Sequence, residues 1–245
     1  MKKGERTTIA QFDQDVVSHG GYLYTEKPSK SSLLANERLT KATLALLDLK
    51  DKTVIDIGCG DGIYTKKLYW QGKPKLMVGI DAARQAIVKA KKNYGTSKKN
   101  LIFETGNCYE ISYPDKKFDI AIARGLVHHL QKPQKAIKEI LRVADQILII
   151  EPNGYNPLLK IIEKFSLYHR RHQEKSYLPY KIRQWVTSFG AKTESEDYLG
   201  LVPFFCPDFL TDFLKKVEPF FEKSFLKTVT CAVYVVKARQ KKLHD

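Results

Sequence analysis

Val54-Ile55-Asp56-Ile57-Gly58-Cys59-Gly60-Asp61-Gly62 is the stretch on which the reading of this chain turns. Its first four residues, apolar apart from Asp56, form a short β-branched run that reads as a buried strand, and glycines stop it abruptly. Glycine lets the backbone turn tightly and approach a ligand, and the helix-like stretch from Ile63 to Trp70 would present free amides at its start. Strand, glycine turn and helix together describe a nucleotide-type pocket.

The charges narrow the choice of nucleotide. A dinucleotide fingerprint reads Gly-x-Gly-x-x-Gly and sets pyrophosphate on the helix N-terminus. Here Ile63 stands where the third glycine should be, and Gly62 comes one residue early. Asp56 and Asp61 flank the loop, where they would repel a pyrophosphate and suit a cationic ligand. A second apolar run, Leu76 to Ile80, ends at Asp81, at the spacing from the glycines where an acidic residue meets ribose hydroxyls in such folds. A third strand is expected over Asn100 to Glu104, leading to Gly106-Asn107-Cys108. A fourth, Phe118 to Ala123, is introduced by Pro114-Asp115 and followed by Arg124-Gly125-Leu126-Val127-His128-His129-Leu130. An amphipathic helix over Pro133 to Val143 and a fifth strand, Gln146 to Ile150, complete the series, which ends at Glu151-Pro152-Asn153-Gly154. Alternating strands and helices imply a parallel sheet with right-handed crossovers.

From about residue 50 to 155 this order and spacing resembles the class I S-adenosylmethionine-dependent methyltransferases of generic small-molecule type. The resemblance implies an α/β fold: a doubly wound, mostly parallel, seven-stranded Rossmann-like sheet with an antiparallel C-terminal edge hairpin and a helical cap. It also implies S-adenosylmethionine as cofactor, a ligand with a sulfonium, an α-ammonium and a ribose diol but no phosphate. Carried onto this chain, Asp56 would meet the ammonium, directly or through water, and Gly58, Cys59 and Gly60 would form the close-approach turn. Asp81 would grip the ribose hydroxyls with its two acceptor oxygens. Asn107, where the family usually has aspartate, would accept from the adenine amine, and the Cys108 amide would face an adenine ring nitrogen. Arg124 would pair with the cofactor carboxylate or with an acidic loop. Plainer readings stand beside these: Asp56 as a loop-stabilising carboxylate, Asp81 as a helix N-cap, and Asn107 as a turn residue.

His128 and His129 are the candidate catalytic residues. Methyl transfer is a displacement at carbon in which positioning and desolvation do much of the work. An oxygen or nitrogen acceptor must also lose a proton, which a neutral imidazole can take. Adjacent residues on a helical turn point about 100° apart, so at most one ring is expected to face the acceptor. The pair resembles the acidic-His position of metal-assisted ubiquinone-type O-methyltransferases, but His128 replaces the acid, so no metal is expected.

A chain of 245 residues is one large domain or a domain with a cap. The expected division is a lead-in and helix over 1–49, the cofactor-binding core over 50–155, a helical basic cap over 156–190, and C-terminal strands with an aromatic helix over 191–245. Gly20-Gly21 reads as a hinge, with Tyr22 and Tyr24 after it; a helix over Ser31 to Leu49 would show an apolar face of Leu33, Leu34, Leu39, Leu44, Leu46 and Leu47. Beyond the core, a helix over Pro179 to Phe189 is capped by Gly190, and Lys192 to Leu199 reads as a strand. Pro207 to Phe221 reads as a helix broken near Pro219, and Leu226 to Val236 as a β-rich run.

Cys59, Cys108, Cys206 and Cys231 are scattered, without the paired spacing of a zinc or redox site, which suggests a reduced, cytoplasmic chain. No apolar run reaches the ~18 residues that span a bilayer, and the first residues lack the apolar core of a signal peptide. The net charge of +15 fits either a lysine-rich solvated surface or an acidic partner. Between Leu158 and Arg183, Lys160, Lys164, Arg170, Arg171, Lys175, Lys181 and Arg183 face only Glu163 and Glu174, with His169 and His172 beside them. The aromatic stretch from Pro203 to Phe209, with Phe213, Phe220 and Phe221, follows; it reads first as core and, beside the basic cap, as an amphipathic surface or an apolar acceptor tunnel. Such mixing suits a small-molecule or lipid-linked acceptor, peripheral membrane contact, or stacking on RNA bases. The expectation is therefore a methyltransferase with a small or lipid-linked, partly acidic acceptor. The alternatives are an RNA methyltransferase and a binding protein that holds S-adenosylmethionine without catalysis.

Overall fold

The computed structural model describes residues 10–18 apart from 12 and 15, then 28–94, 99–166, 174–204 and 206–241. Gly20, Gly21, Tyr22, Tyr24, His169, Arg170, Arg171, His172 and Phe205 lie outside the described residues.

After helical residues near the start, α1 spans Lys30–Leu46 and is followed by β1 Thr53–Ile57, α2 Ile63–Gly72, β2 Leu76–Asp81, α3 Arg84–Tyr94 and β3 Leu101–Thr105. Then come β4 Phe118–Arg124, a 3-10 turn at Val127–His129, α4 Pro133–Val143, β5 Ala144–Pro152 and α5 Pro157–Phe165. The chain closes with α6 Pro179–Ser188, β6 Ala191–Leu199, α7 Asp208–Lys223, α8 Lys227–Thr230 and β7 Val233–Gln240. The strands form one seven-stranded sheet in the order β3-β2-β1-β4-β5-β7-β6. All pairings from β3 to β5 are parallel, and β7 runs antiparallel to both β5 and β6.

The central strands are apolar on both faces because helices cover both. In β5, Ile147 and Ile149 join one core cluster while Leu148 and Ile150 join the other. In β4, Ala121 and Ala123 point one way and Ile120 and Ile122 the other. Helices α4 and α6 supply Ile137, Ile140, Ile182 and Val186 to the first cluster. On the opposite side α1, α2 and α3 supply Leu39, Leu68 and Ile87. Strand order reverses between β1 and β4, which opens a crevice at the carboxyl ends of those strands, where ligands bind in open α/β sheets.

Three expectations are corrected here. The buried face of α1 is not a leucine stripe: Ser32, Ala35, Asn36, Leu39, Thr40 and Thr43 are buried, while Leu33 is exposed. This face carries hydroxyl and amide groups because it borders the crevice. The helix at 208–223 is not broken, for Pro219 sits inside a continuous helix. The run from Leu226 begins with the helical turn α8, and the strand starts only at Val233 and reaches Gln240.

Candidate active site

One cavity of about 1310 Å³ lies at the carboxyl ends of β1, β2, β4 and β5, and it gathers all ten residues singled out above. The turn forms its floor. Gly58 and Gly60 have φ of 80° and 57°, and Gly62, which caps α2, has φ 79°, all in the left-handed region that favours glycine. The amides of Gly58 and Cys59 both donate to the Ile80 carbonyl, at 2.8 and 3.1 Å, tying the turn to β2. Cys59 is buried behind the loop; a Cβ on Gly79 would lie 3.0 Å from its sulfur.

Three carboxylates line this floor. Asp56 is buried, and Thr65 Oγ1 donates to its Oδ2 at 2.6 Å. Burial pushes the Asp56 carboxyl up to about 6, against the opposing pull of the Thr65 hydrogen bond and the Arg124 charge. Asp81 accepts from the Gly60 amide at 2.9 Å and from the Ala83 amide at 2.8 Å, so it fastens the turn and starts α3 at once. Its carboxyl also rises above the usual range, chiefly through burial. Asp61 is buried too, with Lys89 Nζ 4.0 Å away. Concentrated, desolvated negative charge around left-handed glycines fits a cationic ligand without phosphate.

Arg124 acts on Asp56 by charge and is held by α1. Its guanidinium donates to Thr40 Oγ1 at 3.3 Å and to the Asn36 carbonyl at 3.4 Å, and lies 4.2 Å from the Tyr64 ring centre. Burial lowers its pKa to about 10. Helix α1 is thereby latched over the end of β4 by its own buried polar face. Asn107 turns its side-chain oxygen to the Tyr109 amide at 3.0 Å, the turn-forming geometry, and Cys108 packs half-buried beside it.

Sequence reasoning passed over Glu151. This residue ends β5, is 2 % exposed, and accepts from the amides of Leu126, Val127 and His128 at 2.9, 2.7 and 3.0 Å. Its Oε2 also lies 2.8 Å from His128 Nδ1. Facing a carboxylate, that nitrogen carries the proton, which leaves Nε2 as the acceptor. Burial pulls the His128 pKa down, but the charge and hydrogen bond of Glu151 outweigh it, so the net shift is upward. The signal was present in the sequence: an acidic residue ending an apolar strand is what singled out Asp81. His129 stacks on His128 with ring centres 3.9 Å apart, and its Nδ1 is 4.0 Å from Glu174. His128, His129 and Glu174 bring donor atoms within 4.8 Å of one another, and among the described residues this group could close on a metal ion.

The remaining wall is apolar. Leu159 and Ile162 of α5, and Leu214, Val217 and Phe221 of α7, face the same cavity. Within residues 156–190, therefore, α5 borders the cavity, whereas Ile182 and Val186 of α6 are buried against the sheet.

Comparison with known proteins places this geometry. Residues 55–147 match the model of a methyltransferase domain family. The chain is 26% identical over 144 residues to an uncharacterized methyltransferase, YcgJ, of Bacillus subtilis, covering 56% of this chain and 55% of that one. It is 32% identical over 94 residues to the tRNA U34 carboxymethyltransferase of Campylobacter fetus, covering 38% and 33%. The chain thus spans about a third to a half of the length of the curated relatives it matches. Among solved structures, magnesium protoporphyrin IX methyltransferase from Synechocystis, with bound SAM, superposes with a TM-score of 0.68 at 11% identity, covering 98% of this chain and 99% of that one. The glycine turn, the acidic strand ends and the sheet order all agree with the family match, and over residues 55–147 the chain is similar to the class I S-adenosylmethionine-dependent methyltransferases.

Proposed function

We propose that this protein is an S-adenosylmethionine-dependent methyltransferase acting on a small-molecule or lipid-linked acceptor. The observation that carries this reading is the two-ended cavity. Buried carboxylates and left-handed glycines lie at one end, apolar helix faces at the other, and His128 stands among the lining residues. When bound, the cofactor supplies a methyl group on a positively charged sulfur, already activated for displacement. The chain's residues hold and orient. Asp81 offers its carboxylate to the ribose hydroxyls, Asp56 and Arg124 take the ammonium and carboxylate of the methionine end, and the Asn107–Cys108 turn borders the adenine. His128 Nε2, with Nδ1–H fixed on Glu151, accepts the acceptor's proton where the methylated atom is oxygen or nitrogen. Leu159, Ile162, Leu214 and Val217 exclude water around the acceptor.

Titration calorimetry with S-adenosylmethionine, S-adenosylhomocysteine and NAD tests this reading, and preference for NAD would overturn it. Gly60→Val should abolish binding of both adenosyl ligands, because a β-branched residue is strained at φ 57° and obstructs the close backbone approach.

The Asp56 carboxyl adds a pH signature. Its pKa near 6 means that it is neutral below that value and charged above it. A proton therefore competes with the cationic ligand, and S-adenosylmethionine affinity should fall as pH is lowered. The expected loss is about tenfold between about pH 7.5 and about pH 5. Asp56→Asn should bind weakly with a flat profile across that range; a wild-type profile that is itself flat would remove Asp56 from the ammonium.

The runner-up acceptor is RNA. It is favoured by the basic residues between Leu158 and Arg183 and by the tRNA-modifying relative. Electrophoretic shifts with bulk tRNA over a salt series would promote it if binding weakens steeply with salt.

A further inference from the structure

Most of the large apolar side chains exposed among the described residues lie in two stretches, 158–165 and 209–229. On α5 they are Leu158, Ile161 and Phe165, and on α7 they are Phe209, Leu210, Phe213 and Phe220. At 100° per residue the three phenylalanines of α7 fall within about 40° of one another, so they form one stripe. Exposure reaches 82% at Phe209 and 72% at Phe165, well beyond the scattered apolar residues of an ordinary surface. Each helix thus has two apolar faces, one on the cavity through Leu159, Ile162, Leu214 and Val217, the other on solvent through Ile161, Phe165, Phe209 and Phe220, with Leu158 and Phe213 at the cavity rim between them.

The lysines identify what covers the outer faces. Lys216 and Lys223, both exposed, fall on the phenylalanine side of α7 by the same helical arithmetic, and Lys164 lies beside Phe165 with its ammonium 5.7 Å from the ring centre. A protein partner or second copy would bury these cations against another apolar surface, and two copies each carrying +15 repel. A bilayer accommodates both groups, rings at the acyl boundary and ammoniums at the phosphates. No helix among the described residues is long and apolar enough to cross a membrane, so the contact is interfacial.

We propose that the outer faces of α5 and α7 dock on an anionic membrane surface and that the apolar wall between them admits an acceptor drawn from that bilayer. This rests on the methyltransferase reading for the word acceptor, but not for the docking itself. The test is flotation of the full chain with phosphatidylcholine vesicles, with and without about a third phosphatidylglycerol. Binding should require the anionic lipid and weaken with salt. Phe209→Ser combined with Phe220→Ser should reduce it by about tenfold or more, because exposed rings that do not line the cavity are lost from the bilayer and not from the core. S-adenosylmethionine affinity of that variant, measured separately, should not change; loss of it would mean that the stripe shapes the cofactor site and would overturn the proposal. Failure of wild-type flotation would also overturn it, as would equal flotation of the variant. Light scattering that finds a dimer dissociated by the same substitutions would assign the stripe to a second copy instead. Absence of cofactor binding with flotation intact would sink the methyltransferase reading and leave the docking face standing.

Discussion

Glu151→Ala is expected to lower folding stability by about 3–5 kcal/mol, read as the shift of a urea unfolding midpoint at constant m-value. The side chain is almost wholly buried and satisfies three consecutive backbone amides as well as the His128 ring. Each buried donor left without an acceptor costs roughly 1–3 kcal/mol, and relaxation of the 3-10 turn keeps the sum below simple addition. Water entering to replace the carboxylate would bring the loss under about 1 kcal/mol, and that result would contradict the expectation. Glu151→Gln separates the charge from the shape. It keeps one acceptor oxygen, loses the charge, and should unfold more easily by a smaller margin. In that variant burial is opposed only by the weaker pull of Glu174 and Glu163, so the His128 pKa, followed by NMR, should move down from its raised wild-type position. Methyl transfer should then depend on pH along a limb displaced the same way. A profile indifferent to Glu151 would show that His128 takes no proton.

Asp81→Ala is expected to weaken S-adenosylmethionine and S-adenosylhomocysteine alike, by about 100-fold, since two hydrogen bonds to a charged acceptor are each worth roughly 1.5–3 kcal/mol. Equal effects on both ligands are the diagnostic, because they differ in the sulfur and its methyl but share the ribose. The carboxylate also holds the Gly60 and Ala83 amides, so part of the loss arises from a loosened turn. Asp81→Asn retains one acceptor oxygen for the turn and should recover part of the affinity. If Asp81→Ala bound both ligands as the wild type does, the carboxylate would be the N-cap and turn fastener alone.

What the sequence by itself determined was the local alternation and the chemistry of strand ends. Val54 to Ile57, Leu76 to Ile80 and Phe118 to Ala123 are apolar apart from Asp56 and Asp119 because their sheet is covered on both faces, and that pattern is readable without partners. The glycines and Asp56, Asp61 and Asp81 announced a cationic ligand because tolerance of φ above zero and carboxylate charge are properties of single residues. Tertiary structure alone decided the rest, wherever a residue's role belongs to a neighbour distant in the chain. Arg124 finds Asn36 and Thr40 from 84 or more residues away, which turns an apparent leucine face of α1 into a polar latch. His128 acquires its tautomer from Glu151 at the end of the next strand, a pairing set by the parallel register of β4 and β5. The rings of α7 likewise read as core in one dimension. Only once Glu218 and Thr211 occupy its buried side and Phe221 its cavity side does the helix turn Phe209 and Phe220 outward, since one face of a helix cannot serve both core and solvent.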